Sequence, residues 1–185
     1  MSGALSYLGR MLPAMLAVLP LWAAGRGLFL ARRRRPPDWG REALLLALVL
    51  WCAGLASQTV LPQGGPAALG AAFSARRTLW RVNLVLFRTI AALFAALRAG
   101  ETTRFLINFA GNILVFVPLG LLPPLLWRRY RGAGGAALPA LCSLGIECCQ
   151  IFTGRSVDVD DLLLNALGGL LGWLLARAAL RKAPC

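Results

Sequence analysis

No histidine occurs among the 185 residues, so imidazole bases, histidine–metal sites and Ser-His-Asp triads are excluded at once. The groups left for chemistry are few. Asn83 comes first. Asn108 and Asn112 follow, four residues or one helical turn apart. Glu147 and Gln150 lie three apart. Arg155, Asp158, Asp160 and Asp161 crowd a short polar stretch, and Asn165 stands four residues past Asp161. As a binding set, the carboxylates of Glu147, Asp158, Asp160 and Asp161 would meet an ammonium, hydroxyls or a bridging cation. The amides of Asn108, Asn112, Gln150 and Asn165 would add directional hydrogen bonds. As an enzyme set, Glu147 would act as general acid/base and the Asp pair, Asp161 included, would hold a divalent metal through oxygen ligands. A plainer reading competes with both. Asp158 can cap a helix start while Asp160 and Asp161 complement its dipole. Amides in membrane helices often only cross-bond their neighbours, at ~0.6 kcal/mol each.

What must position these groups is a membrane. Hydrophobic residues make up 58% of the chain and charged residues 15%, against roughly 25% charged in soluble domains. A chain this short cannot hide so much apolar surface in one water-soluble core, and disorder needs low hydrophobicity. Five runs approach the ~20 residues that cross a bilayer core: 5–30, 43–62, 105–127, 132–152 and 161–176. The first has an uncharged centre, 11–25, with Arg10 and Arg26 at its ends able to snorkel. A signal peptide is its rival reading, because Ala23, Ala24 and Gly25 resemble a small-residue cleavage site. Pro118, Pro123 and Pro124 should kink or break the third run near its inner end. Gly168 and Gly172 form G-x-x-x-G, which permits close helix packing, within one chain rather than between two. The five cysteines form no C-x-x-C pair, and four lie in apolar runs. No disulfide framework, zinc site or cofactor is expected.

Between the second and third runs, Arg77, Arg81 and Arg88 recur at spacings of four and seven, one face of a helix. An interfacial amphipathic helix bearing Asn83 fits this segment. A half-inserted re-entrant hairpin over 83–97 is the alternative. The expected fold is therefore all-α: a polytopic membrane helical bundle of about five transmembrane helices plus an outer interfacial amphipathic helix. Residues 1–42 would form an N-terminal transmembrane helix and an Arg-rich cytoplasmic loop, and residues 43–180 the main membrane domain.

The net charge is +13, yet the basic residues sit at the ends of apolar runs rather than in an aromatic-interleaved patch, so no nucleic-acid partner is expected. Arg32–Arg35, the cluster Arg128, Arg129 and Arg131, and the cluster Arg177, Arg181 and Lys182 all fall on one side if five spans exist. That side should be cytoplasmic, with the N-terminus outside and the C-terminus cytoplasmic. Span counting then puts every residue of the carboxylate and amide set in the outer half of the membrane. Almost nothing polar lies in the inner halves of the last three spans, which disfavours a transporter.

The ordered series is distinctive. It reads N-L-V-L-F at 83–87, N-F-A-G-N-I-L-V-F-V-P-L-G-L-L-P at 108–123, L-G-I-E-C-C-Q-I-F at 144–152 and G-R-S-V-D-V-D-D-L-L-L-N-A-L-G-G at 154–169. In order, spacing and residue type it resembles the VanZ-like family of bacterial membrane proteins, over roughly residues 82–175. One departure is Leu86, where the family often has Asn-Leu-x-Pro-Phe. The resemblance implies residence in the bacterial cell membrane and a link to low-level tolerance of teicoplanin, a lipid-tailed glycopeptide. It supplies no catalytic residues. The function expected is non-enzymatic binding of an amphiphile at the outer leaflet, with membrane lipids, a lipid-linked cell-wall precursor or a lipoglycopeptide as partners. The alternative is an intramembrane enzyme acting on a lipid headgroup through Glu147 and the Asp158–Asp161 carboxylates.

Orientation is testable by cysteine accessibility in a background without the native cysteines. Ser156→Cys should react with an impermeant maleimide on intact cells, and Gly134→Cys only after permeabilisation. The reverse pattern would place the acidic stretch inside.

Overall fold

A computed structural model describes residues 2–33, 36–60, 82–152 and 156–182, and Arg155, Arg77 and Arg81 lie outside them. The chain divides into two compact units, Met1–Gln58 and Thr59–Cys185. Five helices are long and apolar enough to cross a membrane, beginning and ending near the hydropathy expectations.

In the first unit α1 spans Ser2–Ala31 and α2 spans Trp39–Thr59. Helix α1 runs on through Pro13, Pro20 and the Ala23–Gly25 stretch. Asp38 caps α2, its Oδ1 accepting the Arg41 N–H at 3.2 Å. Gly54 lets the two helices close, because a Cβ there would lie 2.6 Å from the Met15 Cε and 2.7 Å from the Met11 Cε. Arg26, placed at the end of the apolar run, has a partner. Its guanidinium donates in a fork to Glu42, Nε to Oε2 at 2.5 Å and Nη2 to Oε1 at 2.6 Å, and stands 4.5 Å from the Phe29 ring centroid. A bidentate guanidinium–carboxylate pair is the stronger kind of charged hydrogen bond.

The second unit opens with β1, Val82–Asn83, then α3, Arg88–Arg98. Helix α4 runs Thr102–Leu126 and α5 Ala133–Phe152, joined through a 3-10 turn at Arg128–Arg131. The strand β2, Val157–Asp158, leads into α6, Val159–Lys182. β1 and β2 pair in parallel, Val82 opposite Val157 and Asn83 opposite Asp158.

Helix α3 has 11 residues, about 16 Å long, far too short to cross. Leu93 and Ala96 are buried and Arg88 and Arg98 exposed, so it is amphipathic as expected. The single helix face joining Arg81 to Arg88 is corrected, because β1 and a turn at 84–87 stand between them. Asn83 accordingly sits on a strand. A turn through Gly100, at φ 87°, folds α3 back on α4. Phe94 packs there against Phe105 and Phe109, with centroids 5.2 and 5.4 Å away.

Helix α6 packs on both α4 and α5, and glycines set the distance. A Cβ on Gly168 would lie 2.0 Å from the Ile113 carbonyl oxygen, and one on Gly172 would lie 2.0 Å from that of Val117. Gly120 faces the Gly169 backbone in return, and Gly169 faces Pro139. The G-x-x-x-G is thus filled inside the chain by α4. The prolines, expected to kink or break α4, do not break it. The helix is unbroken from Gly111 to Leu126, and its departure from α geometry is a π turn at Leu106–Ala110. Close backbone packing against α6 supports the segment around Pro118. Pro123 and Pro124 fall in the last turn, which the Trp127 N–H closes onto the Pro123 carbonyl at 2.8 Å. Arg131 also donates from Nε to the Pro124 carbonyl at 3.2 Å, a cation serving a helix C-terminus.

Gly168→Leu should lower stability by about 3 kcal/mol, the upper range for overpacking, because backbone rather than a flexible side chain blocks the new atoms. A Cβ on Gly145 meets nothing within 4 Å, so Gly145→Leu should cost far less. Denaturant titration in micelles compares the two.

Candidate functional site

The acidic end of the second unit is built around Asp160, which has no exposed surface. Its Oδ1 accepts the Phe87 N–H at 2.6 Å, and its Oδ2 accepts the N–H groups of Thr89 at 2.8 Å and Ile90 at 3.1 Å. Those donors belong to the start of α3. Asp160 therefore caps a helix more than 70 residues earlier in the chain, a role normally filled by a residue within the same turn. Phe87 takes the left-handed conformation, φ 66° and ψ 3°, which costs a non-glycine residue roughly 1–2 kcal/mol. A charge-assisted hydrogen bond of about 1.5–3 kcal/mol offsets that strain.

Asp158 sits beside it. Its Oδ1 accepts the Asp160 N–H at 2.9 Å, the N-cap arrangement expected for α6. The same oxygen accepts from the Asn83 Nδ2 at 3.1 Å, and Oδ2 accepts from the Thr89 hydroxyl at 2.5 Å. Asn83 also holds the turn, its Oδ1 accepting the Val85 N–H at 3.2 Å. The turn forms with Leu86 in place of proline because these side chains fix it from both ends.

The next layer lies one helical turn into the helices. Glu147, 6% exposed, accepts the Asp158 N–H at 3.3 Å through Oε2. Asn112 donates to the Asp161 Oδ1 at 2.7 Å, tying α4 to α6. A further turn in, Asn165 donates to the Ser143 Oγ at 2.9 Å, tying α6 to α5. Ser143 and Glu147 are four apart on α5, and Asp161 and Asn165 four apart on α6, so the layers stack along shared faces. The Asn165 Oδ1 is buried and has no hydrogen-bond partner among the described residues. Gln150 is buried and donates to the Thr59 carbonyl at 3.1 Å.

Asn108 is not brought in. It is exposed on the π turn and donates to the Arg104 carbonyl one turn back, at 2.8 Å. Sequence reasoning missed Thr89, Ser143 and the α3 backbone donors. Ser143 had a signal, its spacing of four from Glu147. The trans cap had none, because nothing in a linear sequence joins Asp160 to Phe87.

The arrangement limits the chemistry. The carboxylate oxygens of Asp158 and Asp160 are engaged by protein donors, and among the described residues no group of three or more Cys, Asp or Glu is placed to hold a metal ion. Glu147, Asp161 and Asn165 form the inner polar layer, where helices rather than loops supply every side chain. Clustered basic residues lie at the other helix ends: Arg128, Arg129 and Arg131 between α4 and α5, and Arg177, Arg181 and Lys182 on the last turns of α6.

Five helices long and apolar enough to cross a membrane define a multi-pass α-helical membrane protein, and in the second unit a short amphipathic helix is clamped to the start of α6. Residues 44–180, most of the chain, match the family model described as VanZ/LLP1, and the chain belongs to that family. No curated protein and no solved structure matches it.

Asp160→Ala should strand three backbone donors and cost at least ~3 kcal/mol. Hydrogen exchange should show the amides of Phe87, Thr89 and Ile90 losing protection while those in the middle of α6 keep theirs.

Proposed function

We propose that this protein is a non-enzymatic component of the bacterial cell membrane. It binds an amphiphile, such as a lipid-linked envelope precursor or a lipid-tailed glycopeptide, at the outer leaflet. The observation that carries the reading is the segregation of groups along the helices. Acids and amides from four separated segments converge at one end of the second unit, where the scattered Arg88, Arg98 and Arg104 also lie, and the clustered basic residues occupy the opposite helix ends. The positive-inside rule then makes the acidic end extracytoplasmic and the C-terminus cytoplasmic.

Within that reading the cluster divides by task. Asn83, Asp158 and Asp160 are framework, since their bonds hold β1, β2 and α3. Glu147, Asp161, Asn112, Gln150 and Asn165 form the ligand side, and Arg155, which lies outside the described residues, belongs to the same set. An acceptor-rich layer favours a headgroup that donates, an ammonium or a set of hydroxyls. The buried Asn165 Oδ1 supports this, because an unmet acceptor in an apolar surround is costly until a donor reaches it. Tolerance of teicoplanin would follow from competition for, or sequestration of, its lipid-tailed form.

Expression in a teicoplanin-susceptible bacterium should raise the inhibitory concentration. Glu147→Gln at equal membrane abundance should return it to the empty-vector value, while Asn108→Ala, outside the cluster, should leave it raised. Unchanged tolerance in Glu147→Gln would remove the inner layer from the binding site.

A further inference from the structure

We propose that the turn 84–87 is a membrane-dipping wedge. Its four apolar side chains enter the hydrocarbon boundary of the leaflet at the acidic end, with Arg88 and Arg98 of α3 at the depth of the lipid phosphates. This does not depend on what the carboxylate cluster binds.

The side chains of Leu84, Val85, Leu86 and Phe87 are consecutive and 76%, 59%, 50% and 56% exposed. A run of that kind in a floppy loop would carry little meaning. Here the backbone beneath it is fixed on one side. Asn83 and Asp160 take the N–H groups of Val85 and Phe87, the Arg88 N–H reaches the Val85 carbonyl at 3.3 Å, and β1 is paired to β2. The left-handed Phe87 turns the chain into α3 under that restraint. Polar groups are thus drawn inward and apolar ones held outward, against the ordinary preference of a loop in water.

The bilayer is the occupant that the surroundings favour. The turn leads directly into α3, which stacks through Phe94 on Phe105 and Phe109. The adjoining stretch of α4 presents Leu106, 54% exposed, and Ile107, 38% exposed, and the apolar surface continues to Leu114, 63% exposed. In a helix long and apolar enough to cross a membrane, such a surface is suited to lipid. Arg88 and Arg98, at the two ends of α3, are exposed and carry the charge that anionic phosphates attract.

The test uses the full chain with its five cysteines replaced by alanine, in vesicles of phosphatidylcholine and phosphatidylglycerol. A nitroxide is placed through Leu86→Cys, and separately through Val85→Cys, with Ser156→Cys as the reference at the same end. Circular dichroism confirms unchanged helix content. Collision with oxygen should exceed collision with a water-soluble nickel chelate at 85 and 86, and the order should reverse at 156. Nickel dominating at both turn positions would place the turn in water and overturn the proposal. Low collision with both reagents would mean the turn is covered by protein, a second copy included, and would overturn it equally.

Discussion

A carboxylate with no exposed surface must be surrounded by donors or stay neutral, and Asp160 is surrounded by donors. Three of them are backbone N–H groups at the start of α3. Those groups have no intrahelical partner, so the aspartate and the helix end satisfy each other. The remaining polar end depends on that exchange. It places α3 beside α6, brings β1 into register with β2, sets Asn83 against Asp158, and fixes Phe87 in a conformation that only a restrained turn sustains.

The second constraint is the distance between α4 and α6. Lipid offers helices no hydrophobic reason to associate, so van der Waals contact and hydrogen bonds must hold them. Gly120, Gly168 and Gly172 bring backbone against backbone. That approach places Asn112 within 2.7 Å of Asp161, and through α5 it places Ser143 within 2.9 Å of Asn165. The glycines and the polar layer are therefore one arrangement: without the small residues, the amides and acids on facing helices would stand too far apart to pair.

Much of this was legible beforehand for a physical reason. Crossing a bilayer forces each span to declare itself as a long apolar run, so hydropathy located all five helices. G-x-x-x-G in α6 announced a close contact, and Asp158 announced a helix start. The failures have equally physical causes. Arg81 and Arg88 share a helical spacing, but two strand residues outweighed it through a pairing with residues 75 positions away. Pro118 threatened α4, yet the helix runs on through it where its backbone packs against α6. Asn108 and Asn112 looked equivalent at one turn's separation, and only the π turn and the position of α6 separate them.

The sequence by itself determined membrane residence, the number of spans, the family and the set of polar residues gathered toward one end. The family is written in an ordered series of motifs and the others in composition or local period, which the chain carries without reference to its fold. Tertiary structure alone decided which of those polar residues cap α3 and which tie one helix to another. A carboxylate looks the same in a sequence whether it caps its own helix, caps another or faces a ligand. The donors that distinguish Asp160 from Asp161 arrive from segments far away in the chain, and only folding brings them within hydrogen-bond reach.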